Sequence, residues 1–331
     1  MLDMHDLIII GAGPAGLSCG IAAESAGLDY VLVEKGCVVN SLFHFPRNMI
    51  FFSSSDRLEI ARIPFSTMAR RPSRAETVEY YRRVADRFAV RVRQYHTVTQ
   101  LRRNSIDDSG NFEVITQSGS QTQRMSARAV VVATGFFDWP RHLRIPGEEL
   151  AKVVHHFKEG HPYYDRDVAV VGGGSAAVET ALELQRSGAR VTLIHRGEKV
   201  HTKYWIQQEI ENRIGRGEIN WLQHAQVERI EEKVVAVCQG DGLQMLRNDA
   251  VIVQIGYRPD LSLLENAGVT LTRPDRAPWY DPDTFQTDVP GLFVCGSVAA
   301  GDRAGSIFIE TARFHGEKIV GMLTDDFAAS R

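Results

Sequence analysis

An α/β fold is expected, built on two doubly wound parallel sheets, the second inserted within the sequence of the first. Three observations predict it. Two glycine-rich turns of one design begin at Gly11 and Gly172. Each follows a short apolar run, Leu7-Ile8-Ile9-Ile10 in one case and Val168-Ala169-Val170-Val171 in the other. Eighteen residues past each turn a second apolar run closes, Tyr30 to Val33 on Glu34 and Val191 to Ile194 on His195-Arg196. A strand, a tight turn, a helix and a returning parallel strand produce this spacing, which is that of the Rossmann-like dinucleotide-binding unit.

In the first turn, Gly11-Ala12-Gly13-Pro14-Ala15-Gly16, the glycines permit a sharp strand-to-helix reversal. A pyrophosphate can then approach backbone N–H groups at the positive end of the helix. Gly172, Gly174, Ser175 and Ala176 do the same in the second turn, where Ala177 is an accepted variant of the third glycine. The residue at the end of the next strand sorts the nucleotides. A carboxylate at Glu34, with Lys35 beside it, hydrogen-bonds an adenosine ribose and repels a 2′-phosphate. His195 and Arg196 instead offer donors and positive charge to that phosphate. The expected cofactors are FAD at the first site and NADPH at the second.

The chain has 331 residues, 44% hydrophobic and 24% charged, enough for two cores. No stretch approaches the roughly 18 apolar residues of a membrane span, and the N-terminal apolar run, preceded by Asp3 and Asp6, does not read as a signal peptide. Cys19, Cys37, Cys238 and Cys295 form neither a CxxC pair nor a disulfide framework, so a reducing cytoplasm is expected. Net charge is −3, yet residues 57–103 hold twelve arginines against four acids. That segment reads as a solvated helix face, or as a basic surface for an anionic substrate or an acidic electron-carrier protein. It lacks a nucleic-acid reading motif, so no nucleic-acid partner is expected.

The remaining elements follow in order. Residues 38–72 are aromatic-rich and irregular. Ser73 to Phe88 reads as a helix with a Ser73/Glu76 capping box. Strands are expected near Val90 to Val98 and Asn111 to Thr116, with a turn at Asp107 to Asn111. Ala129 to Ala133 is a buried strand ending at Thr134-Gly135, where a missing side chain lets backbone approach a cofactor. Trp139-Pro140 and Ile145-Pro146-Gly147 read as a crossover, and Ile255-Gly256-Tyr257-Arg258-Pro259 as the return. Gly291 to Ser297 is a last strand and glycine turn, contributing Gly296 and Ser297 to the first cleft. A helix is expected from about Ile307 to Leu323, its first amides near Ser306 and Ile307 facing the flavin. The domains are therefore 1–140 (FAD-binding, first part), 141–258 (NADPH-binding) and 259–331 (FAD-binding, second part).

These motifs resemble the thioredoxin-reductase-like flavoproteins over nearly the whole chain. More narrowly, Phe51-Phe52-Ser53-Ser54 with Ile63-Pro64-Phe65, Lys203-Tyr204-Trp205 leading into Glu211-Asn212-Arg213, and Ile307-Phe308-Ile309-Glu310 resemble the bacillithiol disulfide reductase family. The resemblance implies an NADPH-dependent FAD enzyme, a homodimer, that reduces a low-molecular-weight thiol disulfide. Three departures matter. No CxxC precedes the second turn, where Val153 to Asp167 carries His155, His156 and His161. Ala15 stands where many relatives carry a cysteine. Ser297 stands where the wider group places the aspartate that binds the ribityl chain.

Cys19, one helical turn beyond Ala15, is the candidate catalytic thiol, its position near a helix start favouring the thiolate; the alternative is a small buried core residue. His155 or His156 is a candidate proton shuttle, with a structural role as the alternative. No set of ligand residues has metal-binding spacing, so no metal is expected. The rival activities are a ferredoxin or flavodoxin NADP reductase, a flavin monooxygenase, and a flavin-bearing redox sensor or electron-transfer module.

Overall fold

The computed structural model describes residues 3–103 and 111–329. The chain divides into two compact units. One contains Met1–His44, Met49–Trp139 and Arg258–Arg331; the other contains Phe45–Asn48 and Pro140–Tyr257.

The first unit opens with β1 (Asp3–Ile10), α1 (Pro14–Ser25) and β2 (Tyr30–Val33). Leu7, Ile8 and Ile9 are completely buried, as expected of a parallel strand covered on both faces. The aromatic-rich stretch contributes α2 (Asn40–His44) and a single 3₁₀ turn at Ser55–Leu58. In α3 (Arg74–Arg87) the expected capping box is present: Glu76 N–H donates to Ser73 Oγ at 3.2 Å, and Ser73 N–H donates to Glu76 Oε2 at 2.8 Å. Many of the arginines of this region are engaged locally. Arg83 pairs with Glu79 at 2.6 Å, Arg91 with Asp29 at 3.0 Å, and Arg74 donates to the Phe43 carbonyl.

Next come β3 (Val92–Arg93), β4 (Thr97–Arg103), β5 (Phe112–Ser118) and β6 (Gln121–Val132). The expected turn at Asp107 to Gly110 lies outside the described residues. The run Ala129 to Val132 is the end of a longer strand. Its exposed first half pairs antiparallel with β5, and its buried second half pairs parallel with β1.

The second unit is a five-stranded sheet and a three-stranded sheet. Its elements are β7 (Val153–Val154), β8 (Asp167–Val171), α4 (Ser175–Arg186), β9 (Arg190–Ile194), α5 (Tyr204–Gly215) and β10 (Ile219–Leu222). Then follow β11 (Ala225–Ile230), β12 (Val234–Gln239), β13 (Gly242–Arg247) and β14 (Ala250–Val253). The parallel order is β10-β9-β8-β14-β7, and the antiparallel sheet is β11-β12-β13. Phe45–Asn48 belongs here because Arg47 N–H donates to the Lys158 carbonyl at 2.8 Å and the Asn48 amide to Glu183 at 3.0 Å.

The chain then returns to the first unit through α6 (Ser262–Asn266) and β15 (Leu292–Val294), which pairs parallel with β6 and brings the final glycine turn beside the first. A 3₁₀ stretch at Gly296–Ser306 follows, then α7 (Ile309–Ala312) and α8 (His315–Ala329). The continuous helix expected from Ile307 is therefore broken. Ile307 is extended, at φ −113° and ψ 118°, and packs against the apolar core instead of opening a helix. Tertiary bonds hold the break: Ser18 Oγ donates to the Arg313 carbonyl, while the Arg313 guanidinium donates to the Asp56 and Glu59 carbonyls.

Candidate functional site

In the first unit the chain packs its backbone tightly around the first glycine turn. Gly11 sits at φ +108°, and a Cβ there would lie 2.5 Å from the Ala133 carbonyl oxygen. A Cβ on Gly16 would lie 1.9 Å from the Gly11 oxygen, so only glycine lets α1 start this close to the end of β1. Gly13 is different: a Cβ there meets nothing within 4 Å.

Gly13 is also the N-cap of α1, with Pro14 in the first turn, no side-chain cap and no acid within that turn. The Ser73/Glu76 box that closes α3 has no counterpart here. The N–H groups at the start of α1 thus remain available to an anion in the open space.

Glu34, buried at the end of β2, accepts from Ala12 N–H at 2.8 Å and from Gly36 N–H at 2.9 Å, one bond to each oxygen. Its carboxylate is therefore fixed between two turns, with lone pairs left for a further donor. Lys35 pairs with Asp138 at 2.6 Å. Gly135, at φ +68°, faces Ser297, whose Oγ lies 3.7 Å from where a Cβ would stand. Gly296 backs onto Ala15. The buried Thr134 hydroxyl has no hydrogen-bond partner, an unmet polar group beside the same turns that suits a polar ligand.

His315, which the sequence reading missed, lies beneath the last turn. Its Nδ1 accepts from Gly296 N–H at 3.3 Å, and its ring stacks on Phe285 at 4.0 Å. Burial, with Lys318 nearby, lowers its pKa to about 4. The unfolded chain, with an ordinary histidine pKa near 6.5, binds the extra proton first as pH falls. Stability from this group is therefore complete above about pH 6.5 and is lost toward pH 4, by about 3 kcal/mol in all. Urea unfolding of the protein and of His315→Gln at pH 7 and pH 4 isolates the effect. The gap between the two should shift by that amount against the native protein at low pH, and a constant gap would refute it.

Cys19 does not occupy the position expected of a reactive thiolate. It is completely buried, its Sγ 3.7 Å from Cys295 Sγ, and Cys295 in turn reaches the Ala15 carbonyl. The hydrogen bond with Cys19, together with burial, raises the Cys295 thiol well above its usual range. A thiol shut inside the core cannot reach a bulky disulfide, so Cys19 reads as packing.

The second unit repeats the first turn's geometry. Gly172 is at φ +144°, where a Cβ would strike the Gln254 oxygen at 2.3 Å. Gly174 N-caps α4, again without a side-chain cap, and a Cβ there meets nothing within 4 Å. Ser175 and Ala176 begin the helix. His195 packs flat enough on Gly173 that a Cβ there would lie 2.2 Å from the imidazole.

Burial lowers the His195 pKa, so this ring supplies a donor, and the positive charge expected of it rests on exposed Arg196. Two further residues that sequence reasoning passed over converge here. His201 N–H donates to the Gly173 carbonyl at 2.7 Å, and His224 N–H donates to Gly197 at 3.2 Å. Both rings add positive potential near His195 when protonated. The neighbouring Thr202 hydroxyl is buried without a partner.

His155, a candidate proton shuttle, instead contacts Glu148, with Nε2 3.5 Å from Oε1, and its pKa is lowered chiefly by burial and then by His142. His156 lies against Tyr257.

Two glycine-turn units, each with an uncapped helix start, define a protein built for two dinucleotides. The chain belongs to the pyridine nucleotide-disulphide oxidoreductase family, whose profile matches residues 8–296, and it is an enzyme. Among individual relatives it is 41% identical to bacilliredoxin reductase Bdr of Bacillus subtilis (strain 168), over 94% of this chain and 95% of that one. The solved structure of bacillithiol disulfide reductase Bdr (YpdA) from Bacillus cereus matches with a TM-score of 0.94 at 38% identity, covering 98% of this chain and 100% of the other. The Staphylococcus aureus protein of the same name matches with a TM-score of 0.93 at 33% identity, covering 98% and 99%. The resemblance drawn from the motifs is thus upheld.

Proposed function

We propose that the chain is an NADPH-dependent flavoprotein reductase of a low-molecular-weight thiol disulfide, with bacillithiol disulfide as the substrate that its relatives' names point to. The overall reaction is NADPH + H⁺ + RSSR → NADP⁺ + 2 RSH. FAD is assigned to the first unit, and NADPH to the second. The observation that carries a reading of two dinucleotides is the pair of α-helices whose N-termini have a glycine cap, no side-chain partner and open space in front, and Glu34 in one unit against His195-Arg196 in the other separates FAD from NADPH.

In the first unit Gly11, Gly13, Pro14, Ala15 and Gly16 take the pyrophosphate, and Glu34 the adenosine ribose. Gly135, Gly296 and Ser297 line the far side, and the Thr134 hydroxyl gains the partner it lacks. Ser297 keeps one hydroxyl where an aspartate would offer two oxygens. Lys35 acts through Asp138. Ile307, packed into the core, contributes shape and no helix-end charge.

In the second unit Gly172, Gly174, Ser175 and Ala176 receive the phosphates, while Arg196 and the His195 donor select the 2′-phosphate. Bound FAD would supply the two-electron redox chemistry between the nicotinamide and the disulfide. Ala15 carries no thiol and Cys19 is enclosed, so neither residue relays electrons. Cytoplasmic residence and self-association belong to the same proposal. Among the described residues no helix is long and apolar enough to cross a membrane.

Steady-state turnover tests the proposal. NADPH oxidation dependent on bacillithiol disulfide, with two thiols released per NADPH and no loss of kcat in Cys19→Ala, is the expected result. Turnover with ferredoxin or flavodoxin in place of any disulfide would replace this reading with that of a carrier reductase.

A further inference from the structure

We propose that His142, Glu148 and His155, in the second unit, form a binding site for a divalent transition-metal ion, with zinc the best match. The spacing in the sequence, six and then seven residues, follows no recognised ligand motif, and the site exists only because the fold closes it. One ligand atom from each residue lies within 4.8 Å of the others. His142 Nδ1 is 3.3 Å and His155 Nε2 3.5 Å from Glu148 Oε1. Ligands about 2.1 Å from a tetrahedral ion stand roughly 3.4 Å apart, so two of the three edges already have the length that zinc requires.

The supports are rigid. Glu148 is held by the backbone N–H groups of Leu143, at 2.8 Å to Oε1, and Arg144, at 2.6 Å to Oε2. The residue before His142 is tied down by Arg141 N–H donating to the Gly256 carbonyl at 2.9 Å. The His155 carbonyl accepts from the Gln254 amide at 3.1 Å and the Tyr257 hydroxyl at 3.2 Å. Such outer bonds orient ligands and set metal affinity.

Chemistry and access agree with this arrangement. Two imidazoles and one carboxylate suit zinc, whereas magnesium and calcium require oxygen throughout. Both imidazole nitrogens converge on Oε1, which already accepts the Leu143 N–H. An ion at the centre is met by nitrogen lone pairs and removes the need to crowd further N–H donors onto that oxygen. His142 is 52% exposed while Glu148 and His155 are 10% and 16% exposed, so an ion enters from solvent and keeps water at its fourth position. Bound there, it would fasten the segment around residues 142–148 to the end of β7.

The test is a titration of the flavin-loaded protein, stripped with a chelator, with Zn²⁺ against a competing chromophoric chelator, and in parallel with Co²⁺. One zinc per chain is expected, with a tetrahedral cobalt spectrum free of thiolate charge transfer. His142→Ala and His155→Ala should each weaken binding by about tenfold or more. The metal-free melting temperature of His142→Ala should equal that of the parent. The proposal is overturned if the parent takes up no zinc, if both variants bind as tightly as the parent, or if cobalt shows thiolate ligation. Any of these would leave the cluster as two histidines lying beside a glutamate that is hydrogen-bonded to the Leu143 and Arg144 N–H groups.

Discussion

Gly16→Ala should yield a colourless, unstable protein, whereas Gly13→Ala, three residues earlier, should fold normally and fail mainly in holding flavin. The difference lies in what each new methyl group meets. At Gly16 it would stand 1.9 Å from the Gly11 carbonyl oxygen and 3.0 Å from its carbon. Both atoms are backbone, so the start of α1 must move away from β1. That displacement reaches the core through Gly316, where α8 lies so close to α1 that a Cβ would be 2.4 Å from Cys19 N. A cost of about 3 kcal/mol or more follows, at the upper end for overpacking a rigid contact. At Gly13 the methyl group enters open space and obstructs only what comes to occupy it. Thermal melting of the flavin-free forms, with bound flavin read by absorbance, checks both. Wild-type colour and melting temperature in Gly16→Ala would show that the turn is not packed as described.

Gly174→Val makes the corresponding prediction for the second unit and separates ligand from fold more sharply. The position is extended, at φ −87° and ψ 176°, a conformation that valine accepts, and a Cβ there touches nothing. The melting temperature of the nucleotide-free protein should not change. Affinity for NADPH should fall by about a hundredfold or more. Denying phosphate two charge-assisted bonds from the α4 N-terminus costs about 1.5–3 kcal/mol each, and each 1.4 kcal/mol is about a factor of ten. Equilibrium binding of NADPH monitored by fluorescence, beside the melting curve, provides both readings. Unchanged affinity would remove the helix start from the nucleotide site.

Much of this was legible in the sequence because the relevant signals are local. A glycine turn, the strand before it and the residue closing the next strand lie within a few dozen positions. The physics linking them, close backbone approach and a free helix end, depends on residue type. The capping box at Ser73 and Glu76 is local for the same reason.

What escaped depends on contacts distant in sequence. His315 supports Gly296 through a ring whose neighbours, Phe285 and Lys318, no short motif connects. Cys19 read as a thiol near a helix start, but its environment is set by Cys295, 276 residues away. The helix expected from Ile307 has a sound apolar pattern, yet Ser18 and Arg313 draw the chain out of it. His201 reaches the second turn at Gly173, and His224 reaches Gly197 beside His195, through backbone bonds that carry no residue signature. The His142, Glu148 and His155 cluster is assembled by a loop closure that spacing rules do not anticipate.

In the proposed reaction, electrons from NADPH leave the protein on a small disulfide without Cys19 as carrier. Anaerobic stopped-flow absorbance on the Cys19→Ala variant tests it most directly, by reducing the flavin with one equivalent of NADPH and then mixing with bacillithiol disulfide. Prompt return of the oxidised flavin spectrum, with two thiols released per flavin, is expected. A flavin that stays reduced in the variant but is reoxidised in the parent would restore Cys19 to the mechanism, and one that stays reduced in both would contradict the assigned substrate.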